Sequence, residues 1–525
     1  MDLPLIDIIV FTIYMVVVVG LGSWFVRKSK TSDSFMVAGS SLPGWAVGLS
    51  LLGTYLSSNT FIGVVGKAFG ADWNFYVFSL TLPIAAWIGA NYFVPFYRQG
   101  GHISAYEHME ERFGKWARTY SVVCYLLIQL SRMATILFGV GLALHALTDW
   151  NLVWIILVSG AVVTLYTLLG GIEAVIWTDV MQSVVLLFGA LFLLFLILYD
   201  MPGGAWSAIE TARVNGKFSL GSFDLSLSKS TFWVVFLFGL FMNVKAFGFD
   251  QGYVQRYLTA KSNKEARKAI WMGGLLYVPI SLIFFFIGSV LFSYYDTQPE
   301  LLADLKYQVA IQQMENNTFL AEGTLFHEEV NQTASKLTVV DIGDQALPHY
   351  MRHGLPVGLA GLIIAAITAA AMSSIDTGLN SSATIILLDV YKRYWRPKAD
   401  DRESMRVLHS STLIFGVLGT LAALAMIGVE SLLSAWWLLT GVFAGAMLGL
   451  FLLGFIVRKA DKPAAITSVI VGILLIIWMM FSKNMELIPA FLRNPFHANM
   501  TVVVSTLGMF LVGFLISRLR LGKGT

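Results

Sequence analysis

Thirteen apolar runs, most of them near the twenty residues a helix needs to cross a bilayer, divide this chain at about 5–26, 44–66, 74–97, 117–147, 151–169, 174–199, 232–258, 270–294, 355–389, 407–428, 431–457, 464–482 and 498–516. In lipid, each backbone amide and carbonyl must find its partner inside the protein, so runs of this length without alternation are helices. The expected fold class is an all-α polytopic membrane protein with about thirteen transmembrane helices. With 57% hydrophobic and 13% charged residues, a chain of 525 has too little polar surface for a soluble domain. The basic residues fall on alternate connections: Arg27, Lys28 and Lys30, then Arg98 to Arg118, Arg256 to Lys268, Lys392 to Arg406, Arg458 to Lys462, and Arg518 to Lys523. That spacing predicts an uncleaved first span, an outside N-terminus and a cytoplasmic C-terminus in a plasma (inner) membrane. Bases spread through short loops do not make a nucleic-acid surface. The acid-rich stretch Tyr295 to His353 is read as an extracytoplasmic cap, with sequons at Asn316 and Asn331. The single cysteine, Cys124, allows no internal disulfide, and the eight histidines are read as scattered, without a ligand spacing.

Polar residues deep within apolar runs carry the functional signal. Ser373, Ser374, Asp376, Thr377, Ser381 and Ser382 crowd the stretch AAMSSIDTGLNSSA of the ninth run. Ser373, Asp376 and Thr377 stand at i, i+3 and i+4, on one helical face. Hydroxyl, carboxylate and carbonyl oxygens together suit a small hard cation such as sodium. Packing between helices through small residues explains the serines equally well, but not the aspartate. Two other spans are interrupted, the second at Gly53 to Thr60 and the seventh at Asn243 to Gln251. Five spans separate them, as expected of two five-helix units repeated with inverted topology, each opening on a broken helix. Arg132, Asp179, Lys245 and Asp376 lie too deep to be loop residues. They either neutralise one another or face bound charge.

The stretches GSSLPGWAVGLSLLGTYLSSNTFIG, GGIEAVIWTDVMQ, DQGYVQRYL and GLIIAAITAAAMSSIDTGLNSSATIILLDVYKRY together resemble the sodium/solute symporters, a family with the leucine-transporter fold of ten core helices in two inverted repeats. SAYE at Ser104 to Glu107, the arginine of LSRMA, and GGIEAVIWTDV look like the bacterial sialic acid transporter branch. The resemblance implies an N-terminal extra helix over 1–30, a first repeat over 44–200, an inverted second repeat over 230–457 with its cap at 295–353, and two C-terminal helices with a cytoplasmic tail over 458–525. It implies a sodium site made by Gly53, Leu56, Ala370, Ser373 and Ser374, and a second made by Asp179, Ser373, Asp376 and Thr377, hence one sodium or two. It implies that Ser57, Thr60 and Arg132 bind substrate, the arginine taking a carboxylate, and that Phe247 is an aromatic wall or inner gate. Tyr55, Ser79 and Lys245 stand at substrate-binding positions where the family has, respectively, a small hydroxyl residue, a glutamine and a neutral polar residue. These three changes alter pocket size and hydrogen bonding.

The function expected is sodium-coupled import of a small organic solute by alternating access, with an acidic sugar such as sialic acid, or another carboxylate, as substrate and the monomer as the working unit. Neutral sugars or polyols, with Arg132 and Lys245 tied up by Asp376 and Asp179, are the alternative within transport, as are monocarboxylates or amino acids. A transporter-like sensor is the alternative outside it. Polar groups gathered at mid-span suit occlusion better than a continuous conducting pore. No nucleophile with a partner base, and no metal cluster, argues for an enzyme.

Overall fold

The computed structural model describes residues 4–25, 30–148, 150–317, 324–429, 432–483 and 489–521. Arg27, Lys28, Lys523 and the Thr318 of the first sequon lie outside them. Eighteen principal helices follow in order: α1 Leu5–Phe25, α2 Gly44–Tyr55, α3 Thr60–Gly70, α4 Trp73–Gly100, α5 Lys115–Thr148, α6 Leu152–Leu168, α7 Gly170–Asp200, α8 Phe232–Phe249, α9 Gln251–Leu258, α10 Asn263–Asp296, α11 Pro299–Asn317, α12 Thr324–Lys336, α13 Gly343–Gly354, α14 Leu359–Trp395, α15 Asp401–Leu424, α16 Leu432–Ile456, α17 Lys462–Phe481 and α18 Met500–Leu521. Among the described residues ten helices are long and apolar enough to cross a membrane, and three shorter apolar ones accompany them. Side-chain caps start several of these helices, Asn151 accepting from Val153 N at 2.9 Å, Ser262 from Glu265 N at 3.2 Å and Asp461 from Ala464 N at 3.0 Å. α6 and α7 form one rod bent at Gly171, whose φ of 61° is open to glycine at little cost.

Burial orders the bundle. In α14, 89% of the apolar window is enclosed by protein, against 22% in α1. The serine-bearing helix is therefore the axis and α1 a peripheral strut. The apolar run ended near residue 389, but α14 continues in wide turns to Trp395. Asp389 on that extension accepts from Ser104 Oγ at 2.8 Å and pairs with Arg118, while Glu110 bridges Arg118 at 3.0 Å and Arg393. Arg118, counted from sequence among loop bases, is thus consumed by an internal knot tying α5 to the end of α14.

Both interrupted spans run as two helices. α2 stops where Leu56 turns extended (φ −86°, ψ 126°), and α8 stops where Asp250 does the same (φ −87°, ψ 117°). At the far end of α3, α13 meets it backbone to backbone. A Cβ built on Gly343 would lie 2.5 Å from the Gly66 carbonyl oxygen, and one on Gly66 would lie 2.8 Å from the Gly343 carbonyl carbon. Any side chain there must push the cap off the broken helix, so Gly343→Ala is expected to cost about 1–3 kcal/mol. The measurement is the melting temperature of the purified protein in detergent, with Gly20→Ala, a helical glycine whose Cβ would meet nothing within 4 Å, for comparison.

Candidate functional site

Where α2 ends, the chain gives up helical hydrogen bonds. Ser57 N donates to Thr60 Oγ1 at 3.1 Å, which leaves the Gly53 carbonyl without its usual amide four residues on. α14 supplies what is missing. Ser373 Oγ lies 3.1 Å from the Gly53 carbonyl and 3.1 Å from its own Ala370 carbonyl; Ser374 Oγ lies 3.3 Å from the Leu56 carbonyl and 3.4 Å from that of Thr54. The five sodium residues expected from sequence are brought together, all of them buried. A hard cation with ligands at about 2.3–2.6 Å is framed by oxygens roughly 3.3–3.7 Å apart. The spacing therefore fits an ion, towards which the serine lone pairs turn once their protons rotate away. The contacts of Ser374, at the long limit of a hydrogen bond, leave it poorly satisfied without one.

Beside this cage lies a charge cluster that sequence reading missed in part. Arg256, assigned to a loop from its neighbours Lys261 and Lys264, is fully buried on α9, with no solvent contact at all. Its guanidinium donates to Asp179 Oδ2 at 2.9 Å, to Ser50 Oγ at 2.7 Å and to Thr377 Oγ1. Ser50 Oγ also donates to Asp179 at 2.5 Å. Asp376 Oδ2 accepts from Tyr166 at 2.5 Å and has no ion-pair partner among the described residues. Asp179 Oδ1 and Asp376 Oδ1 are both buried without a hydrogen bond. Two acids thus share one arginine, and an ionised Asp376 needs a further cation near Ser373 and Thr377.

A cavity of about 130 Å³ opens between the α2–α3 break, α4, α5 and α8. Ser57, Thr60, Tyr55, Ser79, Arg132 and Lys245 all line it. Phe247 does not: it is fully buried behind the wall, its ring 5.9 Å from Tyr55 and 6.0 Å from Tyr253. Tyr55 meets Tyr253 at 4.9 Å and Tyr277 at 5.2 Å, so these rings close that end of the cavity and Phe247 backs them. The two basic residues differ sharply. Lys245 Nζ donates to Asp250 Oδ2 at 2.6 Å, and Asp250 Oδ1 meanwhile caps α9 at Gly252 N. Arg132 donates to the Thr54 carbonyl and has no carboxylate partner among the described residues. Neither base is tied to Asp376 or Asp179. Around Arg132 the wall presents buried polar atoms without partners: Tyr55 OH, Asn59 Oδ1, Asn243 Oδ1 and both amide atoms of Gln129. Gln129 was legible in sequence, since it stands three residues before Arg132 on the same face of α5.

Residues 35–472 match the sodium:solute symporter family. The sodium/sialic acid symporter NanT of Aliivibrio fischeri is 31% identical over 509 residues, which cover 96% of this chain and 91% of that one. The sodium/sialic acid symporter SiaT of Proteus mirabilis is 31% identical over 480 residues, covering 90% and 89%. A solved structure of a Na+-coupled sialic acid symporter in a substrate-bound, outward-open state has a TM-score of 0.84 at 29% identity, covering 99% of this chain and 98% of that one.

The Lys245–Asp250 pair is buried, so removing one member strands the other. Asp250→Asn is expected to cost about 3–5 kcal/mol, and the double variant Lys245→Met/Asp250→Asn to recover part of that loss. Thermal unfolding of the four proteins of this cycle in detergent checks the coupling.

Proposed function

Because this chain belongs to the sodium:solute symporter family, a family of membrane transporters that move a solute with sodium and are not enzymes, we propose that its solute is an acidic sugar of the sialic acid type. The observation that carries the proposal is Arg132, a buried cation without an acid, set among unpaired amide and hydroxyl atoms. A buried polar atom left unmade costs about 1–3 kcal/mol, so such a wall suits a ligand rich in hydroxyls. The guanidinium fork suits a carboxylate. A neutral sugar would leave Arg132 uncompensated, since Lys245 and Asp179 have other partners.

Sodium at Gly53, Leu56, Ala370, Ser373 and Ser374 would tie the α2–α3 break to α14. It favours the substrate-ready state to the extent that it binds that state more tightly. A second sodium at Asp179, Ser373, Asp376 and Thr377 would answer the single negative charge left beside Arg256. The second ion also matters energetically. One sodium with a monoanion moves no net charge, whereas a second recovers about 2.3 kcal/mol per 100 mV, well over a tenfold gain in accumulation. The proposed arrangement has thirteen crossings with the cap and N-terminus outside and the C-terminus in the cytoplasm. Residues 44–200 and 230–457 form the inverted repeats, 1–30 and 458–525 flank them, and a single chain suffices.

Uptake of labelled sialic acid into proteoliposomes under an inward sodium gradient tests this reading. Sialic acid should compete while glucose, lactate and proline do not, and choline in place of sodium should abolish uptake; full uptake in choline would refute the assignment. Arg132→Gln should raise the half-saturating sialic acid concentration at least about 30-fold, the lower end of the cost of stranding a buried charge partner, and leave sodium binding in place. Asp376→Asn keeps a side chain able to bond Tyr166 but removes the uncompensated charge. Its sodium-to-solute ratio, read from reversal potentials, should fall from two to one.

A further inference from the structure

The cap holds a cluster that the transport reading leaves unused. His349 and His353, passed over in the sequence as unpatterned, stand four residues apart on one face of α13, the spacing that lets two imidazoles share an ion. Asp304 comes to them from α11, its Oδ2 2.9 Å from His349 Nε2. One ligand-capable atom from each of the three lies within 4.8 Å of the other two.

The remaining ring nitrogens are already held. His353 Nδ1 donates to the His349 carbonyl at 3.0 Å, and His349 Nδ1 lies 2.6 Å from the Tyr295 hydroxyl. That hydroxyl also lies 3.3 Å from the Ala346 carbonyl, so either tautomer of His349 finds a partner on this side. With the hydroxyl serving Nδ1, a cation can take the place of the Nε2 proton between His349 and the Asp304 carboxylate. Fixing one imidazole nitrogen on a carbonyl or hydroxyl is how proteins orient metal-binding histidines, and Gln308, donating to Asp304 Oδ2 at 3.0 Å, steadies the carboxylate likewise. A cavity of about 180 Å³ beside His349, lined also by His145, Gln312, Gln345 and Arg352, leaves coordination positions for water.

We propose that Asp304, His349 and His353 bind one borderline divalent cation of the zinc class, clamping α11 to α13 and slowing transport from the cap side. Two imidazoles, one carboxylate and an open position are the donor set such ions take. The clamp reaches the transport path because α13 rests backbone to backbone on α3 at Gly343 and Gly66. Bracing α13 therefore braces the half-helix that begins at the ion cage. The effect on uptake rests on the symporter reading; the binding does not.

Calorimetric titration of Zn2+ into the purified full-length chain in sodium buffer, for wild type, His353→Ala and Asp304→Asn, measures the site directly. His353 is exposed, and a retained melting profile verifies the fold of its variant. One zinc per wild-type chain is expected, with at least tenfold weaker binding in each variant. Saturating zinc on the cap side should slow wild-type sodium-driven uptake at least twofold and leave His353→Ala unaffected. Equal zinc affinity in wild type and variants, or wild-type uptake indifferent to saturating zinc, overturns the proposal. Absent uptake in zinc-free wild type would instead fault the symporter reading, and the calorimetric comparison still decides the site.

Discussion

A helix broken inside a membrane cannot leave its freed carbonyls to water, and the rest of this architecture follows from that constraint. At Leu56 the chain leaves the helix, Ser57 N turns to Thr60 Oγ1, and the carbonyls of Gly53, Thr54 and Leu56 need new partners. They receive Ser373, Ser374 and the guanidinium of Arg132. The same atoms that repair the break therefore frame the ion cage and place the cavity's free cation. Structural repair and function are one set of contacts here.

Charge is distributed by the same economy of partners. Four ionisable groups noticed in the sequence resolve into two closed pairs and two open positions once Asp250 and Arg256 are included: Lys245 with Asp250, Asp179 with Arg256, and Arg132 and Asp376 each without an ion-pair partner among the described residues. An unpaired cation facing a cavity and an unpaired anion facing an ion cage suit the binding of a solute of one sign with an ion of the other.

The fold was legible because bilayer thickness converts hydropathy into helix length, and the two breaks were legible because glycine and polar residues cluster at mid-span in two spans at matching places, which helix packing alone does not require. Ser373, Ser374 and the backbone at Gly53 and Leu56 could be matched because an oxygen cage is local to two short stretches. What sequence did not give was pairing across the bundle. Arg256 looked like a loop base because Lys261 and Lys264 follow it, and only the packing of α9 against α2, α7 and α14 puts it beside Asp179. Phe247 looked like a wall, yet Tyr55, larger than the family's usual residue at that position, stands in front of it. His349 and His353 looked scattered because the third member of their cluster lies 45 residues away on another helix.

Asp250 does two things at once: one carboxylate oxygen starts α9 and the other holds Lys245. Substrate preference in this chain consequently cannot drift by changing the acid alone, because an apolar replacement unseats a helix start as well as a charge, and even asparagine, which keeps the cap, strands Lys245. An evolutionary route to a new solute is channelled through residues such as Gln129, whose amide holds no hydrogen bond in the scaffold, so that its replacement alters recognition and leaves the frame intact.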